Sequence, residues 1–147
     1  MASSLSGSLH VTNAKAGEIE LRFDLTNNGA TPIHFCTRRT PFGSLQDGNF
    51  LKFFDTNEDR EIKYSGPPRM RNAVPNGSEF KTIAPGQTLS TPVYCESPYF
   101  YTYPGHTYTV SVACTFLKGP ENIDPSEKVY DTELLDSFPI QSVTFNA

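Results

Sequence analysis

Hydrophobic and polar residues alternate along most of this chain with a period of two. In the clearest example, residues 18–26, hydrophobic residues occupy every second position between charged or hydroxyl-bearing ones. Those hydrophobic residues are Ile19, Leu21, Phe23 and Leu25. Such alternation is typical of a β-strand with one buried face, so we predict a strand here. The same pattern predicts strands near residues 9–11, 33–35, 51–54, 62–64, 79–83, 89–95 and 108–116.

Turn-forming residues separate these segments. Asn27-Asn28-Gly29 ends the clearest strand, and Thr56-Asn57-Glu58-Asp59 divides two segments that we expect to form a hairpin. Pro85-Gly86 and Pro104-Gly105 match the two central positions of a type II turn. Asn76-Gly77 predicts a tight turn, because both residues tolerate positive φ.

The C-terminal part, residues 117–147, is read as a loop followed by a last strand. Residues 131–136 suit either a short helical turn or a strand. Ile140 and Val143 are out of phase with each other, so we predict a β-bulge near Gln141 and Ser142. No segment has a helical stripe of eleven or more residues, so the whole pattern predicts an antiparallel sandwich or barrel.

Composition narrows the function classes. The chain has 147 residues, a net charge of −4 and a pI near 5.3, which argues against a nucleic-acid binder with a basic face. No apolar run approaches the ~18 residues of a membrane span. Residues 1–7 lack the features of a secretory signal, which favours a cytoplasmic protein and leaves a removed signal open. Three cysteines make a poor disulfide framework, so we expect free thiols, with Cys95 and Cys114 facing inward and Cys36 facing the opposite way.

A series of motifs between residues 18 and 116 resembles a known family. The motifs are Leu25-Thr26-Asn27-Asn28, Pro32-Ile33-His34-Phe35, Thr40-Pro41-Phe42, Tyr64-Ser65-Gly66-Pro67, Ile83-Ala84-Pro85-Gly86-Gln87-Thr88, and later Tyr99, Gly105, Tyr108 and Val110. Their order and spacing resemble the non-catalytic β domain of deuterolysin-type (peptidyl-Lys-type) zinc metalloendopeptidases. The resemblance implies an immunoglobulin-like antiparallel β-sandwich. We therefore expect one domain over residues 1–147 with seven to nine strands.

The catalytic motif of those peptidases is missing. Their zinc site uses His-Glu-x-x-His, whereas His10, His34 and His106 are each followed by a residue other than glutamate. Zinc peptidase activity is therefore excluded, and we predict no metal and no cofactor. The resemblance then implies a stand-alone binding module whose partner is another protein, a peptidase being one such partner.

Two groups of residues are candidates for partner contact. The first is a set of arginines in predicted loops, Arg38, Arg39, Arg69 and Arg71, which would suit an acidic partner. The alternative is that these arginines are solvated and paired with nearby carboxylates. The second group is Tyr99, Tyr101 and Tyr103, which share one face if their segment is a strand. Exposed, they would suit protein or sugar, and packed inward they would belong to the core.

Three functions follow from these residues. The first is protein–protein interaction through loops at one end of the sandwich, including binding or inhibition of a peptidase. The second is a lectin-like protein that stacks glycans on the Tyr99–Tyr103 run. The third is a small enzyme, since no Ser-His-Asp arrangement is assembled by motifs but a cleft with His34, Cys36 or His106 beside a buried carboxylate would support one.

Overall fold

The computed structural model describes residues 4–68 and 74–147, and the described chain is almost entirely β-structure. The strands are β1 (Leu5–Asn13), β2 (Glu18–Asn27), β3 (Ile33–Cys36), β4 (Leu51–Asp55), β5 (Arg60–Ile62), β6 (Phe80–Ile83), β7 (Thr88–Glu96), β8 (Thr107–Val112), β9 (Leu117–Lys118), β10 (Glu133–Leu134), β11 (Ile140–Gln141) and β12 (Val143–Asn146). Two short 3₁₀ turns, Leu45–Asp47 and Gly77–Glu79, complete the described elements. Three of the twelve strands have only two residues, which leaves nine longer ones. The predicted all-β sandwich is confirmed.

The strands form three sheets of four. The first sheet has the order β11-β1-β2-β7, the second β10-β9-β3-β6 and the third β12-β8-β4-β5. Nearly all neighbours are antiparallel, and the exception is the parallel pairing of β1 with β11. The predicted hairpin is confirmed, since β4 pairs with β5 and Asp55 lies opposite Arg60.

One hydrophobic core joins the three sheets. In β2, the four hydrophobic residues of the alternating segment are all fully buried, as the period of two predicts. Aromatic rings fill the space between sheets: Phe35 of the second sheet packs on Phe42, which also packs on Phe23 of the first sheet. In the third sheet, Phe53 packs edge-on against Tyr108 at 5.3 Å between ring centroids. Burial of this aromatic area, together with the aliphatic side chains of the core, favours association of the sheets.

Both Pro-Gly turns form as predicted. The Gln87 amide donates to the Ala84 carbonyl at 3.0 Å, and Gly86 has φ +76°. Around the second turn, Gly105 has φ +82°, a conformation that favours glycine. These turns connect β6 to β7 and precede β8, so they fix where neighbouring strands begin.

Several local predictions are wrong. Asn76-Gly77 forms the predicted tight turn, in which the Glu79 amide donates to the Asn76 carbonyl at 3.0 Å, but the predicted positive φ is wrong, since Asn76 has φ −81°. The Glu79 carboxylate also accepts from the Asn76 amide at 2.8 Å. Residues 108–116 do not form one strand, because β8 ends at Val112 and β9 begins at Leu117 in another sheet. Cys36 is buried at 1% exposure, although alternation placed it facing away from the core.

The C-terminal part also differs from its prediction. It contains four short strands, and residues 133–134 take the strand alternative. No bulge joins Ile140 to Val143: β11 pairs with β1 in the first sheet, whereas β12 pairs with β8 in the third. The change of phase therefore marks a crossing from one sheet to another. No helix in the described ranges is long and apolar enough to span a membrane.

Candidate functional site

The segment between β7 and β8, residues 97–106, carries the exposed tyrosines and is called the tyrosine loop below. Tyr99, Tyr101 and Tyr103 have 45%, 58% and 45% of their surface exposed. The condition for a shared face, that residues 99–103 form a strand, is not met, because the segment has no strand pairing. Pro98 and Pro104 lie on either side of it, and proline removes a ladder donor.

Phe100 holds this loop on the core. Its side chain is fully buried and stacks on Phe53 at 5.5 Å between ring centroids. The amides of Tyr99 and Phe100 both donate to the Glu96 carbonyl at 3.0 Å, which closes a tight turn after β7. The Ser65 amide donates to the Tyr99 carbonyl at 2.9 Å. One ring therefore points inward while its neighbours stay exposed.

The other side of the loop is fixed by the β1–β2 turn. The Gly17 amide donates to Thr102 Oγ1 at 2.7 Å, and the Ser97 amide donates to the Gly17 carbonyl at 3.0 Å. Farther along, the Tyr103 amide donates to the Tyr108 hydroxyl at 2.7 Å. The backbone beneath the tyrosines is thus tied to separate parts of the sandwich, which limits the motion of the exposed rings.

A buried carboxylate supports the end of the loop. Asp55 is fully buried and lies 2.9 Å from Nδ1 of His106. Its Oδ1 also accepts the amides of Asn57 and Glu58 at 2.9 and 3.1 Å. Desolvation raises the pKa of Asp55, but these hydrogen bonds and the charge of His106 outweigh it, so the pKa lies below the ordinary value.

The Asp55–His106 pair is the arrangement that the sequence analysis named as support for a small enzyme, a histidine beside a buried carboxylate. Oriented histidines of this kind act as bases when their second nitrogen faces a nucleophile. Among the described residues, no hydroxyl or thiol hydrogen-bonds Nε2 of His106, and the ring lies beside Tyr103 and Tyr108. The contacts that are present serve to hold the loop.

Acidic residues lie beside the tyrosine loop. Glu18 of β2 is directly opposite Glu96 of β7, and Glu20 is opposite the half-exposed Tyr94. Lys15 lies 3.7 Å from Glu18, whereas no described residue forms an ion pair with Glu96. Like charges opposite each other in a sheet are destabilising. The arrangement therefore costs stability and is available to a cationic partner group.

The predicted arginines occupy a different connection. Arg38 follows β3, and its guanidinium bonds both Glu79 carboxylate oxygens at 3.1 and 2.7 Å. Both side chains are only 14% exposed, so this charge is engaged by a local carboxylate, as the alternative interpretation has it. Arg39 is exposed, with φ +62°. Arg69 and Arg71 lie outside the described residues.

A second polar assembly covers the outer face of the first sheet. Asp24 accepts from Arg22 at 3.0 Å and from the Ser90 hydroxyl at 2.6 Å, and it lies 3.1 Å from Nε2 of His10. Burial raises the pKa of Asp24. The hydrogen bonds from Ser90 and Arg22 and the nearby charges lower it by more, so the pKa lies below the ordinary value. The carboxylate is therefore ionised at neutral pH.

Ser8, His10 and Asp24 have the residue types of a catalytic triad, and motif analysis did not find them. Period two places Ser8 and His10 on one face, and the strand register brings Asp24 opposite Ser8. However, the Ser8 hydroxyl and the Asp24 carboxylate both face the same nitrogen, Nε2, at 3.0 and 3.1 Å. A triad needs one ring nitrogen for each partner. This geometry does not activate the Ser8 hydroxyl.

None of the three cysteines is in a disulfide, and Cys36 and Cys95 are buried while Cys114 is partly buried. Burial raises the pKa of Cys95 and of Cys114 to about 12, so both thiols are protonated at neutral pH. Within residues 4–68 and 74–147, no group of three or more His, Cys, Asp or Glu side chains is arranged to hold a metal ion.

No protein-family model matches this chain, and no curated protein matches it. The function is therefore inferred from the tyrosine loop and from the polar outer face of the first sheet.

Proposed function

We propose that this protein is a non-enzymatic binding module that contacts a partner protein through the tyrosine loop. The observation that carries the proposal is the combination of three exposed tyrosines with a backbone fixed by Phe100 and by hydrogen bonds to Glu96, Ser65 and Gly17. Tyrosine offers a large amphipathic contact area at low entropy cost. A loop already held in position loses little further freedom on binding.

The charges beside the loop favour a basic partner surface. Glu18 and Glu96 face each other, and Glu96 has no cationic partner among the described residues. A lysine or arginine from a partner would relieve this repulsion and could lie over a tyrosine ring. The expectation from sequence was an acidic partner for the arginines, and the engaged charge of Arg38 gives that version less support.

A peptidase is the most specific partner class we propose, and it rests on the family resemblance. The inhibitory version would place the proline-rich segment around Pro67 and Pro75 in a peptidase cleft. Residues 69–73 of that segment lie outside the described part of the chain, so the contacts of the tyrosine loop give this version no support of their own.

Affinity capture from an extract of the source organism tests the proposal. Wild-type protein is compared with Tyr101→Ala/Tyr103→Ala and with Tyr130→Ala, a control tyrosine that is 76% exposed and outside the loop. We expect a protein that is retained by wild type and Tyr130→Ala, lost with the loop variant, and released by salt. Equal capture by all three variants would refute the role of the loop.

The lectin alternative predicts a different elution. If glycans stack on the tyrosines, the retained material is released by mixed sugars and not by salt. The small-enzyme alternative is supported by one observation, the Asp55–His106 pair. It predicts that His106→Gln abolishes an activity that the Tyr101→Ala/Tyr103→Ala variant retains.

A further inference from the structure

A groove runs along the outer face of the first sheet, and its lining includes no residue of the tyrosine loop. It has a volume of about 590 Å³, within the usual range for small-ligand sites. Its lining includes three hydroxyl groups, one carboxylate, one amide and an apolar side chain. These belong to Ser6, Ser8, Thr26, Asp24, Gln141 and Ile140. A smaller hollow of about 230 Å³, lined in part by Arg22 and Ser90, lies on the same face.

Some polar groups that line this groove have hydrogen-bond donors that no described residue uses. An ionised carboxylate only accepts, so Asp24, 3.1 Å from Nε2 of His10, favours the form of His10 that carries a proton on this nitrogen. In that form of His10, the Ser8 oxygen, 3.0 Å from the nitrogen, acts as the acceptor, and the Ser8 proton is unused. Asn28 donates to the Ser6 hydroxyl at 3.0 Å, which leaves the Ser6 proton unused as well. The side-chain amide of Gln141 bonds no described residue.

The charge balance of the groove selects among ligand classes. Arg22 reaches both oxygens of Asp24, at 3.0 and 3.2 Å, so its cation is already engaged. An anionic ligand would meet the Asp24 carboxylate without a free cation to bind it. A cationic ligand would meet a carboxylate that Arg22, His10 and Ser90 already surround. A neutral ligand avoids both costs.

We propose that this groove binds a neutral saccharide. Sugar hydroxyls both donate and accept, which matches the unused protons of Ser6 and Ser8 and the amide of Gln141. Ile140 and the adjacent Pro139 provide apolar surface for the C–H face of a sugar ring. The site is independent of the tyrosine loop, so either binding activity can exist without the other.

Amide chemical-shift mapping tests the proposal on the full chain. The probes are neutral disaccharides (lactose, maltose, cellobiose and sucrose), with glucose 6-phosphate as the anionic comparison. We expect at least one neutral disaccharide to shift the amide signals of Ser6, Ser8, Asp24 and Gln141 in a saturable way. Glucose 6-phosphate should bind more weakly than that sugar, because the carboxylate of Asp24 lines the groove.

Two groove variants and one control variant make the result specific. Ser8→Leu fills the groove and removes a donor, and it should lower the affinity about tenfold or more. Ser111→Leu, the same change in a strand of the third sheet, should leave binding unchanged. Gln141→Ala, at an exposed position, tests the amide without risk to the core.

The proposal is overturned by any of three results. The first is that none of the neutral disaccharides shifts the groove signals. The second is that Ser8→Leu and Gln141→Ala both bind the sugar as tightly as wild type does. The third is that the sugars shift the signals of Tyr99, Tyr101 and Tyr103 in place of the groove signals, which would support the lectin alternative at the loop.

Discussion

The tyrosine loop and the outer face of the first sheet present their side chains by different means. The loop has no strand pairing of its own, and its tyrosines stay exposed because Phe100 is inserted into the core. The side chains of the sheet face follow from alternation, since Ser8 and His10 lie on either side of the buried Leu9 and Asp24 lies between two buried residues. A loop surface therefore depends on the core beneath it, whereas a sheet face depends only on its ladder.

The two Asp–His pairs show the same contrast. Asp55 is fully buried, is 2.9 Å from His106 and accepts two backbone amides. Asp24 is 18% exposed, and its partner His10 is 46% exposed. Water and salt weaken an ion pair in proportion to its exposure. The buried pair should therefore contribute more to stability than the exposed pair does.

Phe100→Ala should cause the largest loss of stability among the variants of these two regions, because it removes the side chain that holds the tyrosine loop on the core. Loss of a fully buried phenyl ring that stacks on Phe53 should lower the free energy of unfolding by about 3–4 kcal/mol. The loop should also loosen, because its inward contact is gone. Urea unfolding measures the first effect, and hydrogen exchange at residues 97–103 measures the second.

The matched control is Tyr101→Ala, which removes an exposed ring from the same loop. We expect it to change stability by no more than about 0.5 kcal/mol. A Phe100→Ala variant as stable as Tyr101→Ala would show that the loop is not held by the core.

Asp55→Ala should have the next largest effect. It leaves His106 and the amides of Asn57 and Glu58 without their acceptor, and we expect a loss of about 2–3 kcal/mol. Urea unfolding of this variant is compared with that of Asp136→Ala, an exposed aspartate. Equal stability of the two variants would contradict the role of the buried pair.

The difference between the two regions also explains what the sequence could predict. Alternation gave β2 and the hairpin of β4 and β5 because each residue faces either core or solvent. It left Tyr99–Tyr103 open, because the residue types there favour a strand whereas the flanking prolines oppose one, and the segment forms no strand. It failed at Ile140 and Val143, because two strands that belong to different sheets follow each other directly.

The candidate sites divide in the same way. The faces of Ser8, His10 and Asp24 could be read from period two, but their meeting required the register of β1 with β2, which no local pattern supplies. The Asp55–His106 pair joins residues 51 positions apart. Its sequence signal was a single aspartate at the end of a hydrophobic strand, which is equally typical of an ordinary turn.

Asp24→Ala should cost less than Asp55→Ala, about 1 kcal/mol, because water replaces part of the lost contact with Arg22 and His10. Raising the salt concentration should shrink this loss, since the ion pairs are partly exposed. Urea unfolding at low and high salt measures both. A loss equal to that of Asp55→Ala and insensitive to salt would mean that exposure does not distinguish the pairs.

The smallest expected difference between the Asp55–His106 and Asp24–His10 pairs is in how the free energy of unfolding depends on acid pH. Both carboxyl groups have a pKa below the ordinary 3.8, so each contributes stability above that value and loses it as the pH falls through its folded pKa. Asp55→Asn and Asp24→Asn remove one titrating group each. Unfolding free energies measured from neutral pH to below 3.8 should therefore fall less steeply in both variants than in wild type. The flattening should be greater for Asp55→Asn, because the hydrogen bonds from His106 and two backbone amides that lower the pKa of Asp55 are shielded from water. A greater flattening for Asp24→Asn would reverse the comparison.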